Sequence, residues 1–218
     1  MPTIYMNSGL AMAMQSAIGT AKTLTAISVA APGVFTGTHD FVGGDYVLLE
    51  VEGMSEVNNR IYQVLSVSTT VSFQLEAIDG SGALSTVGFT AFTSGTAKKI
   101  TLGTSVVGVQ DFAPSGGDAK MVDTTTVHDL VDKQQVVGAT ARSYSLTMQW
   151  DPANAAQAAM QAAFEANSPR AFRITWPGGR WVLFYGSVGF AAMPGGSTQG
   201  VTTTTASIAL LGSPTFVF

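Results

Sequence analysis

The sequence predicts a mainly β chain with a single helix, divided into two units. Three observations carry this. Apolar and polar residues alternate in short runs along most of the chain, the signature of half-buried strands. Gly-, Asn- and Asp-rich turn sequences bound most of those runs. Only one stretch, the Ala-rich Ala153–Ala166, carries helical spacing instead.

Taken in order, residues 1–20 read as an extended arm with a strand around Leu10–Ala17. The texture changes at Thr20–Thr25, and Ala26–Val29 opens a compact all-β unit. Its strands are Tyr46–Val51, Ile61–Val67 and Val71–Ile78, bounded by Gly43-Gly44-Asp45, Asn58-Asn59 and Asp79-Gly80. Val71, Phe73, Leu75 and Ala77 alternate with Ser72, Gln74 and Glu76, which gives one buried and one wet face. The unit closes near Ser94–Ile100. It holds seven acids (Asp40, Asp45, Glu50, Glu52, Glu56, Glu76, Asp79) against three bases (Arg60, Lys98, Lys99), and so carries the whole net charge of −4. The rest of the chain balances acids and bases. This asymmetry supports an acidic module over 25–100 and a near-neutral unit formed by 1–24 and 101–218.

The second unit begins with a strand over Leu102–Phe112. Ala113–Gln135 then reads as a long polar loop, and loops of more than ~12–15 residues in compact domains are usually functional or disordered. In the strand Val136–Trp150, Ser143, Ser145, Thr147 and Gln149 face one way and Tyr144, Leu146, Met148 and Trp150 the other. Asp151 is placed to cap the helix that follows, with Pro152 at its first position. The predicted helix spans about 152–166, with Ala156, Met160, Ala163 and Phe164 as its core stripe and Asn167 and Pro169 at its end. Ala171–Trp176 and Arg180–Ala192 form a hairpin across Pro177-Gly178-Gly179, and Val201–Leu211 is the last strand. Both faces of Trp181–Tyr185 are apolar, which predicts a strand covered on both sides, by the helix on one and by a partner subunit on the other.

Composition bounds the function. Of 218 residues, 46% are hydrophobic and 11% charged, against roughly 25% charged in an ordinary soluble domain. So few charges predict that much of the surface is buried against other subunits. The acidic balance argues against a general nucleic-acid binder but is compatible with a surface that lets DNA slide past. The chain has no cysteine, which removes disulfides, zinc–thiolate sites and cysteine nucleophiles. No basic residue precedes Lys22, so no signal peptide is expected. No uninterrupted apolar run of ~18 residues suggests a membrane span.

No catalytic chemistry stands out. His39 and His128 each neighbour an Asp in polar sequence, but no G-x-S-x-G elbow or metal-ligand spacing accompanies them. His39 reads as a turn residue and His128 as a loop or interface group. Glu50 and Glu52 read as a solvated face, and the double glycines as turns. No catalytic residue, metal ligand or cofactor is expected.

The layout of strand, long loop, long strand ending in Trp150-Asp151-Pro152-Ala153, Ala-rich helix, Gly-Gly hairpin, last strand and Gly212-Ser213-Pro214 tail resembles the major tail tube protein of long-tailed bacteriophages. Asp123-Thr124-Thr125-Thr126-Val127-His128-Asp129 is its other specific stretch, and the resemblance covers roughly 1–24 and 101–218. Separately, Gly44-Asp45-Tyr46-Val47, Glu52-Gly53-Met54 and Asn58-Asn59-Arg60-Ile61-Tyr62-Gln63-Val64 resemble a small β-barrel module shared by phage virion proteins and ubiquitin-activating enzymes.

These resemblances imply an antiparallel two-sheet β-sandwich or split barrel with one flanking helix, plus an inserted small all-β domain on the outer wall. They imply hexameric rings that stack into a hollow tail tube conducting genomic DNA, without specific binding, from capsid to host. The implied partners are the chain itself, a tape measure protein, and tail terminator and baseplate proteins. The implied place is the virion, after synthesis in the host cytoplasm, with no membrane insertion. Asp118, Lys120, Asp123, His128, Asp132 and Lys133 on the long loop are then candidate inter-ring contacts. Ser143 and Thr147, or Thr202 and Thr204, are equally polar candidates for the lumen. The rival readings are a tail terminator or completion protein, and a secreted glycan-binding adhesion domain.

Overall fold

The computed structural model describes residues 8–217; the first seven residues of the expected N-terminal arm lie outside them. The strands in the first part of the chain are β1 (Ala11–Met14), β2 (Ala17–Ile18), β3 (Lys22–Leu24), β4 (Ala26–Ile27), β5 (Phe35–Thr36), β6 (Tyr46–Glu52), β7 (Arg60–Ser68), β8 (Ser72–Leu75) and β9 (Ser94–Thr101). They are followed by β10 (Thr104–Val106), β11 (Val109–Ser115), β12 (Ala119–Asp123), β13 (Gln134–Ala139) and β14 (Ser143–Gln149). The helix α1 (Ala155–Glu165) precedes β15 (Arg170–Thr175), β16 (Trp181–Phe190), β17 (Thr203–Leu210) and β18 (Thr215–Val217). Among the described residues the fold is mainly β: two eight-stranded antiparallel sheets, one two-stranded sheet, one α-helix and a short 3-10 turn at Thr69–Val71.

The first sheet runs β10-β1-β15-β16-β17-β14-β11, with β18 also paired to β16. Its two edge strands are joined by only Val107 and Gly108. A link of three Cα steps spans at most about 11 Å, so the sheet must curl until its edges nearly meet. The concave side holds a core of Met12, Met14, Leu146, Met148, Phe172, Ile174, Phe184 and Ile208, with Ala156, Met160 and Ala163 of α1 packed against it. Phe172 and Tyr144 both stack on Phe184, with ring centroids 5.5 and 4.8 Å apart.

The helix departs from expectation at both ends of its stripe. Asn154, not Asp151, caps it, its side chain accepting from the Ala156 and Gln157 amides. Asp151 instead accepts from the Ala153 amide, which uses Asp151-Pro152 as a turn before the helix. Ala156, Met160 and Ala163 are buried as expected, but Phe164 is 51% exposed. It sits about 100° around the helix from Ala163, off the narrow stripe. Gln157 is buried in its place: Nε2 donates to the Gln149 carbonyl (2.6 Å), and Oε1 accepts from the Asp151 amide (3.1 Å).

The second sheet runs β2-β9-β6-β7-β8-β5-β4, with β3 also paired to β9. One segment, residues 22–27, edges both ends of it: β3 pairs with β9, and β4 with β5. The pairing therefore places Ala17–Leu24, expected with the arm, beside β9 in this sheet. Phe35, Val47, Leu49, Tyr62, Phe73 and Leu75 fill its core. His39, expected as a turn residue, is buried against that core. It stacks on Phe41 (5.1 Å), meets Phe73 edge-on (4.9 Å), and its Nδ1 accepts from the Phe41 amide.

The two large sheets meet in a third apolar cluster, in which Leu48, Ile61 and Ile100 pack with Ala171 and Leu183, and Tyr46, Trp181 and Tyr185 border them. Arg173 donates to the Tyr46 hydroxyl (3.1 Å), and Arg60 to the Pro214 carbonyl (2.9 Å). Gly212 allows this approach, since a Cβ there would lie 2.2 Å from the Asn59 carbonyl oxygen. Trp181–Tyr185 is thus covered on both sides, but the second cover is the chain's own acidic module and not a partner subunit. The reason is parity: Val182 and Phe184 point into the curl, and Leu183 points to the module.

Candidate functional surfaces

Ala113–Gln135, expected to be a loop, is instead the greater part of a β-hairpin arm. β11 and β14 pair over Val109–Ser115 and Ser143–Met148, the ladder breaks, and β12 and β13 continue as a separate two-stranded sheet. The break is built around Gly116, whose φ is +79° and whose added Cβ would lie 1.8 Å from the Ala141 carbonyl oxygen. Thr140 Oγ1 accepts from the Gly117 and Asp118 amides (2.9 and 3.0 Å) and fixes the bend.

Every residue of β12 and β13 is exposed. Met121 and Val136 oppose one another on one face, and Val122 lies on the other. The tip carries Val127 and Leu130 wholly in solvent, at 96% and 102% exposure. An isolated two-stranded hairpin is marginally stable in water, so local bonds must organise this one. The Asp-Thr-Thr-Thr-Val-His-Asp stretch supplies them. Asp123 accepts from the Thr125 amide (2.8 Å), and Asp129 accepts from the Thr126 amide and hydroxyl (both 2.9 Å). Lys133 pairs with Asp129. The Lys133 ammonium, then the Thr126 donors, hold the Asp129 carboxyl below the ordinary aspartate range, and the Thr125 hydroxyl and amide do the same for Asp123. Asp118, Lys120, Asp123, His128, Asp132 and Lys133 all lie on this arm, and all six are exposed.

The convex side of β11, β14, β17 and the end of β16 is a face of small residues in three cross-strand rows. Asp111, Thr147 and Thr205 form the first; Ala113, Ser145, Ser207 and Gly189 the second; Ser115, Ser143, Ala209 and Ser187 the third. Asp111 is the one charged side chain in these rows. Ser143 and Thr147 therefore share a face. Thr204 points the opposite way, buried beside the core, with Oγ1 donating to the Ala191 carbonyl (2.7 Å). Thr202 lies before β17, and its carbonyl accepts from the Trp150 amide.

Other charged groups are used structurally. Lys98 pairs with Glu50 (2.6 Å), Lys99 with Asp45 (2.8 Å) and Lys22 with Asp40 (3.1 Å). Glu52 accepts from the Ser94 hydroxyl. Among the described residues no three or more His, Asp or Glu side chains gather to hold a metal, and no helix is long and apolar enough to cross a membrane. Sequence reasoning missed the order of the arm and the placement of Thr204. The strand direction of Thr204 follows only once Trp150 is seen to bond Thr202.

Comparison with curated proteins finds no match. A family model described as phage tail tube protein, TTP, matches residues 52–218. The match begins at the last residue of β6 and takes in residues 101–218, leaving out β1 to β5.

Proposed function

The chain belongs to the phage tail tube protein family, and from that premise we propose that it forms hexameric rings stacked into the tube that conducts the genome. Membership makes it a structural component of the phage virion that assembles with itself into a tube. The hexamer, the DNA path and synthesis in the host cytoplasm are the proposal.

The single observation that most supports it is the hairpin arm, an ordered element with apolar side chains on both faces and, among the described residues, nothing in its own subunit to cover them. An arm that seats on a neighbouring ring buries those side chains. Asp118, Lys120, Asp123, His128, Asp132 and Lys133 then become the polar border of that contact. The small-residue face of β11, β14 and β17 suits the lumen. Hydroxyls in place of bases give DNA phosphates no cation to pair with, and the carboxylate of Asp111 repels them weakly. Ser143 and Thr147 stay in this lumen surface with Ser145, Thr205 and Ser207, and Thr204 leaves it. The acidic module, docked around Leu183 on a different part of the convex side, falls on the outer wall. The tape measure, terminator and baseplate proteins are the expected partners inside and at the ends of the tube.

The test is a pair of substitutions, Ser145→Lys and Ser207→Lys, in assembled virions. Tubes should form, and genome ejection should slow, more so at low salt because the added charges are then less screened. Normal ejection from such tubes would remove this face from the lumen.

A further inference from the structure

The arm needs a seat, and the seat can be read from the opposite end of the same strands. The arm leaves the body where β11 ends and β14 begins. At the other end, backbone hydrogen bonds tie four segments into one rim. Gln149 donates to the Gly108 carbonyl, Trp150 donates to the Thr202 carbonyl, and Thr203 and Gly195 exchange amide–carbonyl bonds. Along that rim stand Val107, Trp150, Val201 and Met193, all exposed, with Trp150 at 43%. Large apolar side chains thus gather at both ends of the β11–β14 pair.

We infer that this rim is the seat for the hairpin arm of the next copy of the chain, an assignment that rests on the tube reading above. Three features select a second copy as the occupant. Arm and rim lie at opposite ends of one strand pair, so a shift along the strand direction brings the arm of one subunit to the rim of the next. Such a contact is head-to-tail and leaves a free arm and a free rim at each stage, which is the symmetry a growing tube needs. The reach also suffices: residues 117–123 at about 3.4 Å each extend about 24 Å from the body, roughly the length of the body strands themselves. At the tip Asp129 is already paired with Lys133 and bonded by Thr126, and Asp123 accepts from the Thr125 amide. Val127 and Leu130 are left as the groups that dock.

Two variants of the full chain test this: Leu130→Glu, which spoils the arm, and Trp150→Glu, which spoils the rim. Both positions are exposed, so neither change disturbs a core. Each variant alone should stop short of tubes. Mixed, the intact rim of the first should accept the intact arm of the second, and particle mass should double and go no further. Leu130→Cys mixed with Val201→Cys gives a second reading in this otherwise cysteine-free chain: a disulfide should form between the two variants and not within either alone. Tubes from Trp150→Glu alone, no mass doubling on mixing, or a cross-link in Leu130→Cys alone would overturn the seat. Failure of the unmodified chain to assemble at all would overturn the tube reading and the seat with it, whereas normal tubes with none of these pairings would overturn the seat alone.

Discussion

Truncating Ile61 to Ala should loosen both units at once. Ile61 is 1% exposed and points out of the acidic module into the cluster of Leu48, Ile100, Ala171 and Leu183. Removing a fully buried Ile side chain from a packed cluster costs about 2–5 kcal/mol, the transfer term plus the cavity left behind. Leu183 lies on the central strand β16, whose neighbours β15, β17 and β18 limit how far the site can collapse, so the middle of that range, about 3 kcal/mol, is expected. For a chain of this length that corresponds to a fall in Tm of about 6–12 °C. Leu65→Ala, on the same strand but 42% exposed, is the control, with a change within about 0.5 kcal/mol. The assay is thermal unfolding followed by tryptophan fluorescence. All three tryptophans (Trp150, Trp176, Trp181) belong to the second unit, so a mutation in the module is read out across the joint. A shift of under about 2 °C in that signal, against the scale of 2–4 °C per kcal/mol, would refute the docking of the module on the large sheet.

Gly116→Ala should strain the arm at its root, because both the positive φ and the 1.8 Å approach to the Ala141 carbonyl exclude a Cβ. Assembly should fall sharply with little change in the melting of the body, as seen by sedimentation beside a thermal melt. Asn154→Ala should cost about 1 kcal/mol through loss of the helix cap, measured by urea denaturation. In acid the arm tip should lose order before the body. The Asp129 carboxyl is held below its ordinary value of 3.8, so its contribution is present above that value and is lost as pH falls through the lower folded one. Amide exchange at Thr126 and Lys133 follows this, and a tip that stays ordered at every pH would contradict it. Burial pushes the Tyr62 phenol up to about 12. Its contribution is therefore complete below the unfolded value of 10 and is lost as pH rises through 12. Tyr62→Phe should remove the late-titrating phenol and leave stability equal or higher, since the buried hydroxyl has no hydrogen-bond partner among the described residues.

What was legible in the sequence follows from where burial is one-sided. The alternation of Ser143–Trp150 fixes that strand and its faces because one side meets the core and the other does not. The arm was invisible to the same logic. β12 and β13 are exposed on both faces, so Ala119–Asp123 has no reason to alternate, and its order comes from Asp–Thr bonds at the tip. The Asp151-Pro152 pair carries the usual signal for a helix start. Asn154 carries an equally good one, and only the bridge made by Gln157 between Gln149 and Asp151 decides between them. His39 sits in polar sequence, and the two phenylalanines that enclose it are apparent only after folding brings Phe73 to Phe41. That Trp181–Tyr185 would be covered twice could be read from its composition. What covers it depends on contacts more than a hundred residues apart, which no local pattern encodes.

Electron microscopy of the purified full chain over a concentration series tests the central claim most directly. The account predicts hollow tubes or stacked rings with six-fold end views, lengthening as concentration rises. Particles that remain single subunits at every concentration would contradict it.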